Sequence, residues 1–275
     1  MYNPELAKLP SMISTIRDFG LEPNKKMGQN FLLDTHITDQ IINAVGDLTD
    51  KVVLEIGAGP GCLTRSILAS SAKKIIAIET DVRCIAALEQ LLLVSNGRLD
   101  IINGDALKIK ESEFGTDKLT IISNLPYNIG TALILKWLET PELYESITVM
   151  LQKEVVDRIC AHTRTADYGR LSVICQWLCH CERLFDIEPE NFYPPPKVMS
   201  SVVKLVPRAT PLFACVRSNL EKVTQKAFGM RRKMLRSALK PLFTEADIIR
   251  AGIEPTMRAE ELTIEELCGL ANLLR

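Results

Sequence analysis

Residues 51–61 read Lys-Val-Val-Leu-Glu-Ile-Gly-Ala-Gly-Pro-Gly, and residues 74–79 read Lys-Ile-Ile-Ala-Ile-Glu. Each is a short apolar run of strand length, and the first ends in a glycine-rich turn. Residues 62–71 between them carry a helical pattern. Strand, tight turn, helix, strand and terminal acid together predict a βαβ unit that holds a nucleotide or nucleoside. The glycines allow the backbone to turn sharply and approach a ligand without side-chain interference. Glu79 stands twenty residues past Gly59, where a carboxylate can accept from both hydroxyls of a ribose.

The ligand class follows from what the turn lacks. A dinucleotide fingerprint is G-x-G-x-x-G, whereas residues 57–61 read G-x-G-x-G with Pro60 inside. Nothing in this turn is dedicated to a pyrophosphate. Glu55 is expected to place a negative charge near the pocket, opposing phosphates and favouring a cation. S-adenosylmethionine, with a sulfonium, an ammonium and no phosphate, fits those demands as methyl donor.

Two more apolar runs extend the pattern. Residues 99–102 lead into Asn103-Gly104-Asp105-Ala106, and residues 119–122 lead into Ser123-Asn124-Leu125-Pro126-Tyr127-Asn128. Asp105 is placed either to accept from an adenine amino group, with Ala106 leaving room for the ring, or to close an Asx turn. Pro126 biases Leu125 toward extended geometry, which leaves its carbonyl free beside the Asn124 amide and the Tyr127 ring. An amide, a carbonyl and an aromatic face suit an amino-substituted base. Gly57, Glu79, Asp105 and Asn124 all fall at C-terminal strand ends, where open α/β sheets bind ligands.

Upstream, residues 1–24 are expected to be irregular and flexible, broken by Pro4, Pro10, Gly20 and Pro23. Residues 25–34 read KKMGQNFLLD, with Asp34 placed to cap a helix over 35–45. Downstream, residues 147–151 read as a fifth strand, and 152–160 and 171–178 as helices. Residues 181–187 and 200–206 read as a closing antiparallel pair. The Asn191-Phe192-Tyr193-Pro194-Pro195-Pro196 run between them is stiff and extended. It is either a surface crossover or a mount that holds an aromatic over a pocket.

Past Pro207 the chain turns helical. Residues 215–241 hold eight Lys or Arg, among them Arg231, Arg232, Lys233 and Arg236, against one acid, Glu221. The whole chain has a formal net charge of −1, so any pull on nucleic acid must come from this local cluster. A solvated helix face is the plainer alternative. The expected division is 1–207 for the nucleoside-binding domain and 208–275 for a helical RNA-binding domain. The eight cysteines match no zinc spacing that closes four ligands, so no metal is expected. No secretory signal or membrane span is evident, and the reduced thiols point to the cytoplasm.

The motifs KKMGQNFLLD, VLEIGAGPG, GDAL, NLPYN, MLQKEV, YGRLSV and FYPPPKV, with Glu79, together resemble the ribosomal RNA adenine dimethyltransferases, and within them the bacterial 16S enzymes. The resemblance implies a Rossmann-like class I methyltransferase sheet, mostly parallel with an antiparallel closing hairpin, followed by a small all-α domain. It implies dimethylation of two adjacent adenosines near the 3′ end of 16S RNA in the 30S subunit, by a monomer using S-adenosylmethionine. Asn30, Leu32, Gly57, Glu79, Asp105 and Asn124 would contact the donor. Asn124, Leu125, Pro126 and Tyr127 would hold the target adenine, with Phe192 stacked on its other side. Gly130 departs from the serine common in the family, and Ala58 from a proline. The rival readings are a 23S adenine methyltransferase, an RNA-binding assembly or transcription factor on the same fold, and a dehydrogenase.

Overall fold

The computed structural model describes residues 5–23, 28–115 and 117–274. Lys25 and Lys26, the basic start of the 25–34 stretch, lie outside them. By internal contacts the chain forms two compact units, Met1–Lys153 with Glu182–Pro207, and Glu154–Cys181 with Arg208–Arg275.

The first unit is built on a seven-stranded sheet. Its strands are β2 (Val52–Ile56), β3 (Lys74–Glu79), β4 (Leu99–Asn103), β5 (Leu119–Asn124), β6 (Tyr144–Gln152), β7 (Cys179–Ile187) and β9 (Ser200–Pro207). The spatial order is β4-β3-β2-β5-β6-β9-β7. Strands β2 to β6 pair in parallel and β9 returns antiparallel to β6. Val53, Leu54, Ile75, Ala77 and Ile121 are fully enclosed. Such continuous apolar strands are what a sheet covered on both faces requires. Each buried Val, Leu or Ile contributes about 1.5–3 kcal/mol. Helices α2 (Thr35–Val45), α3 (Cys62–Ala69), α4 (Val82–Leu92) and α5 (Gly130–Trp137) belong to this unit. Asp34 caps α2 as expected, its carboxylate accepting from the His36 N–H at 2.8 Å.

Two features differ from the sequence reading. Residues 1–24 are not wholly irregular, because α1 (Met12–Asp18) forms behind Pro10 with Ser11 as its cap. Arg65 on α3 secures it, donating to the Pro10 carbonyl at 2.6 Å and to Thr15 at 3.2 Å. Residues 31–32 and 192–193, expected as loops, form a two-stranded pair, β1 (Phe31–Leu32) with β8 (Phe192–Tyr193).

The second unit contains α7 (Arg170–Leu178), α8 (Arg217–Gly229), α9 (Leu235–Ala238), α10 (Glu245–Arg250), α11 (Ile264–Leu273) and nearly all of α6 (Lys153–Cys160). The boundary expected at 207 leaves residues 154–181 with the sheet. They pack instead with the C-terminal helices, because their polar groups are satisfied there. Trp177 Nε1 donates to the Phe213 carbonyl at 2.7 Å, and the Arg208 N–H to the Leu178 carbonyl at 2.8 Å. Tyr168 meets Phe228 edge to face, with ring centroids 5.8 Å apart.

Candidate active site

A cleft in the first unit is lined by the ends of β2, β3, β4 and β5 and by residues 28–32. Parallel register puts all four ends on one edge, so the topology itself gathers residues far apart in sequence. Asn30, Leu32, Gly57, Glu79, Asp105 and Asn124 all line it, as do Leu125, Pro126 and Tyr127.

Gly57 has φ +67°, and a Cβ built there would stand 3.1 Å from the Pro126 ring. The glycine is needed both for its backbone and for the space that Pro126 takes. Glu79 is buried, and its carboxylate is largely engaged. Oε2 accepts from the Gly59 N–H at 2.8 Å, and Oε1 from the Thr80 and Asp81 N–H groups at 2.7 and 2.8 Å. An ionised carboxylate has about four lone-pair sites, so Glu79 clamps the glycine turn before it can meet a ribose. Asp105 does close an Asx turn, with Oδ1 accepting from Leu107 N–H at 3.0 Å, while it also lines the cleft. The turn does not consume the residue, because its carboxylate still borders the cleft. Ala106 beside it is buried and small.

The charge argument built on Glu55 is overturned. Glu55 is 2 % exposed, and burial pushes its carboxyl up to about 8 despite the Thr64 hydroxyl bonded to it at 2.7 Å, with Glu79 adding repulsion. It is mostly protonated at neutral pH and supplies no negative potential against phosphates. The case against a dinucleotide then rests on the glycine spacing alone.

At the end of β5, Asn124 is half-buried and its Nδ2 donates to the Asn30 carbonyl at 3.4 Å. That contact turns Oδ1 the other way, and no described residue donates to it. Leu125 is buried, its N–H bonded to the Met150 carbonyl at 3.2 Å. Its own carbonyl accepts nothing from the described residues. The Pro126 carbonyl accepts from the Ile129 and Gly130 N–H groups, both at 3.1 Å, and so closes the turn into α5. At Gly130, which stands in place of the family's common serine, a Cβ would lie 2.4 Å from Leu151 Cδ2, so its bareness accommodates that leucine.

Tyr127 stands half-buried beside this turn, its hydroxyl 2.6 Å from the Ser200 hydroxyl on β9. Burial raises its phenol above the ordinary value. Phe192 departs from expectation. It pairs with Leu32 across β1 and β8, is 2 % exposed within the hydrophobic core, and does not line the cleft. Strand alternation sends neighbouring side chains to opposite faces, so Tyr193 is the exposed aromatic of that pair while Phe192 packs inward, and stacking on a target base would require Phe192 to be uncovered.

Two contributors were not read from the sequence. Ser200 could have been noticed as a polar residue opening an apolar strand. Asp81 caps α4 through the Arg83 N–H and also accepts from Gln29 Nε2 at 3.1 Å, which fastens residues 28–32 at the cleft. Arg83 bonded to its carboxylate, with help from Gln29, holds Asp81 down to about 2. The cap was legible, but the link to Gln29 across 52 positions had no local signal.

In the second unit, Arg231 is already engaged, donating to the carbonyls of Ala166 and Tyr168. It ties down the turn before α7 through Nη2 while the side chain stays exposed. Arg232 and Lys233 are exposed. Arg236 is exposed too, 3.9 Å from Glu245. All eight cysteines are free, and among the described residues no cluster of metal-ligating side chains occurs.

The arrangement was compared with known proteins. The family model of the ribosomal RNA adenine dimethylases matches residues 20–275. Ribosomal RNA small subunit methyltransferase A of Rhizobium johnstonii is 50% identical over 270 residues, covering 97% of this chain and 98% of that protein. Its namesake from Paramagnetospirillum magneticum is 48% identical, covering 98% and 96%. Among solved structures, a dimethyladenosine transferase from Plasmodium falciparum superposes with TM-score 0.73 at 26% identity, over 86% of this chain and 94% of that one. The 23S rRNA methyltransferase ErmE gives TM-score 0.69 at 26% identity, over 89% and 99%.

Proposed function

The chain belongs to the ribosomal RNA adenine dimethylase family, and from that premise we propose that it dimethylates the N6 amines of two adjacent adenosines near the 3′ end of 16S rRNA. The fold is that of the class I methyltransferases, and the methyl donor is S-adenosylmethionine. The substrate is 16S rRNA within the 30S subunit or its precursor, met in the cytoplasm by a monomeric enzyme. The small-subunit methyltransferases at about half identity across nearly the whole chain favour the 16S target over the 23S one.

The cleft suits such a donor. Gly57 lines it with backbone alone, Ala106 leaves space for a purine, and Asp105 and Asn30 offer polar groups. When bound, the donor supplies an electrophilic methyl on a sulfonium. The chain's contribution is to orient the acceptor amine. An adenine N6 lone pair is delocalised into the ring. Asn124 Oδ1 and the Leu125 carbonyl, both without donors of their own, can accept the two N–H groups and localise that pair. The proton left on nitrogen turns acidic as the new bond forms, so positioning and preorganised acceptors suffice without a strong base. Tyr127, anchored by Ser200, offers its ring to a base withdrawn from its stack, a contact worth about 1–3 kcal/mol. After one transfer a single N–H remains, and the base must turn before the second.

The carrying observation is the pair of donor-free acceptors at the end of β5, beside the cleft. Labelled S-adenosylmethionine should transfer methyl groups to undermethylated 30S particles and not to 50S particles. Asn124→Ala should slow single-turnover transfer about 10²–10³-fold while donor affinity stays within a few-fold. Preferential labelling of 50S particles would move the reading to the 23S enzymes, and an unimpaired Asn124→Ala would remove Asn124 from the chemistry.

A further inference from the structure

The loop after β4 carries Asp105 and Ala106, and it is fastened to α5 by one side chain. Lys136, in the last turn of α5, donates to the Ala106 carbonyl at 2.8 Å, to the Ile109 carbonyl, and to Glu111 Oε1 at 2.8 Å. An ammonium has three donors, and here each one is used. Trp137 Nε1 donates to the same Glu111 oxygen at 3.0 Å, and Glu111 is 7 % exposed. The loop also bonds to itself: the Asp105 carbonyl accepts from the Lys108 and Ile109 N–H groups, and Asp105 Oδ1 from Leu107 N–H. Asp105 therefore sits at the start of a small closed turn whose far side is held by Lys136.

We propose that Lys136 is a positioning residue for donor recognition: by holding the Ala106 and Ile109 carbonyls it sets where the Asp105 carboxylate meets the base, and so sets discrimination between a 6-amino and a 6-oxo purine. The proposal rests on the reading of Asp105 as the acceptor for the adenine amino group. A simple brace would only need to hold α5 near this segment, which the hydrogen bond from Trp137 Nε1 to Glu111 already does. What Lys136 adds is direction, because two of its three bonds go to backbone atoms within four residues of Asp105. The same helix begins at Gly130, directly after the acceptor motif, so one rigid element borders both the purine wall and the target-base turn.

The test compares binding of S-adenosylhomocysteine and S-inosylhomocysteine by calorimetry. The wild-type chain should prefer the amino form by on the order of 10- to 100-fold, the worth of a hydrogen bond to a charged group. Lys136→Met paired with Glu111→Gln removes the ammonium without stranding a buried carboxylate, and should reduce the preference to about threefold or less. Lys136→Arg, which keeps a charged donor group at a similar reach, should restore part of it. A double variant that keeps the wild-type ratio, whatever happens to its melting temperature or absolute affinities, makes Lys136 a mere brace and overturns the proposal alone. A wild-type chain with no preference overturns the Asp105 reading and this inference with it.

Discussion

Glu55 keeps its proton at neutral pH because burial outweighs the one hydroxyl that Thr64 donates to it. The ordinary value near 4.5 rises to about 8 in the folded chain. Between those values the native protein holds a proton that the unfolded chain releases, so this residue makes stability fall as pH rises across that window. Glu55→Gln should flatten that part of the curve and be relatively more stable toward pH 8, read from denaturation midpoints at successive pH values. Parallel curves for the two proteins would refute the assignment. The sequence made the position of Glu55 plain and its charge state invisible, since burial depends on strands that pair across many residues. Glu79 was better read, as a carboxylate at a strand end. That backbone amides already occupy most of it is a consequence of the fold around it.

Elements carried by strong local periodicity were legible: α2 begins and ends at the residues its cap and apolar pattern indicate. Those sustained by distant partners were not. The seven residues of α1 include Ile13, Thr15 and Ile16, which are mediocre helix formers, and Arg65 supplies what they lack. Two-residue strands such as β1 and β8 have no periodicity to detect, and their partners are about 160 positions apart. The turn before α7 is another element held from afar, through Arg231. Arg231→Met should speed amide hydrogen exchange over residues 164–170 while the exchange of β2 and β5 stays as it was. Unchanged exchange in that turn would show that Arg231 is free to serve elsewhere.

For the molecule as a whole, charge is a matter of location. The formal net charge is −1, yet the basic residues of 215–241 fall in the helical unit. That unit also takes in residues 154–181, a return of the chain that no linear reading of composition could reveal. Arg231 is engaged with the turn before α7 and Arg236 lies near Glu245, whereas Arg232 and Lys233 are exposed side by side. Arg232→Glu with Lys233→Glu should weaken binding to 16S rRNA fragments and reduce the slope of log affinity against log salt by about 1.5–2. An unaltered slope would place the RNA contact on other residues.

The contact between Gly57 and Pro126 has a consequence for how this sheet can change over time. The space that a side chain at this position in the donor turn would enter is bordered by the ring from the acceptor turn, 3.1 Å from where a Cβ would stand. The two loops are thus halves of one joint, although 69 positions separate them. A turn with any residue other than glycine at this position would press on Pro126. A new acceptor loop lacking the proline would leave a hollow under Gly57. A change in either turn is therefore felt by the other, and re-engineering of donor or target has to treat the two together.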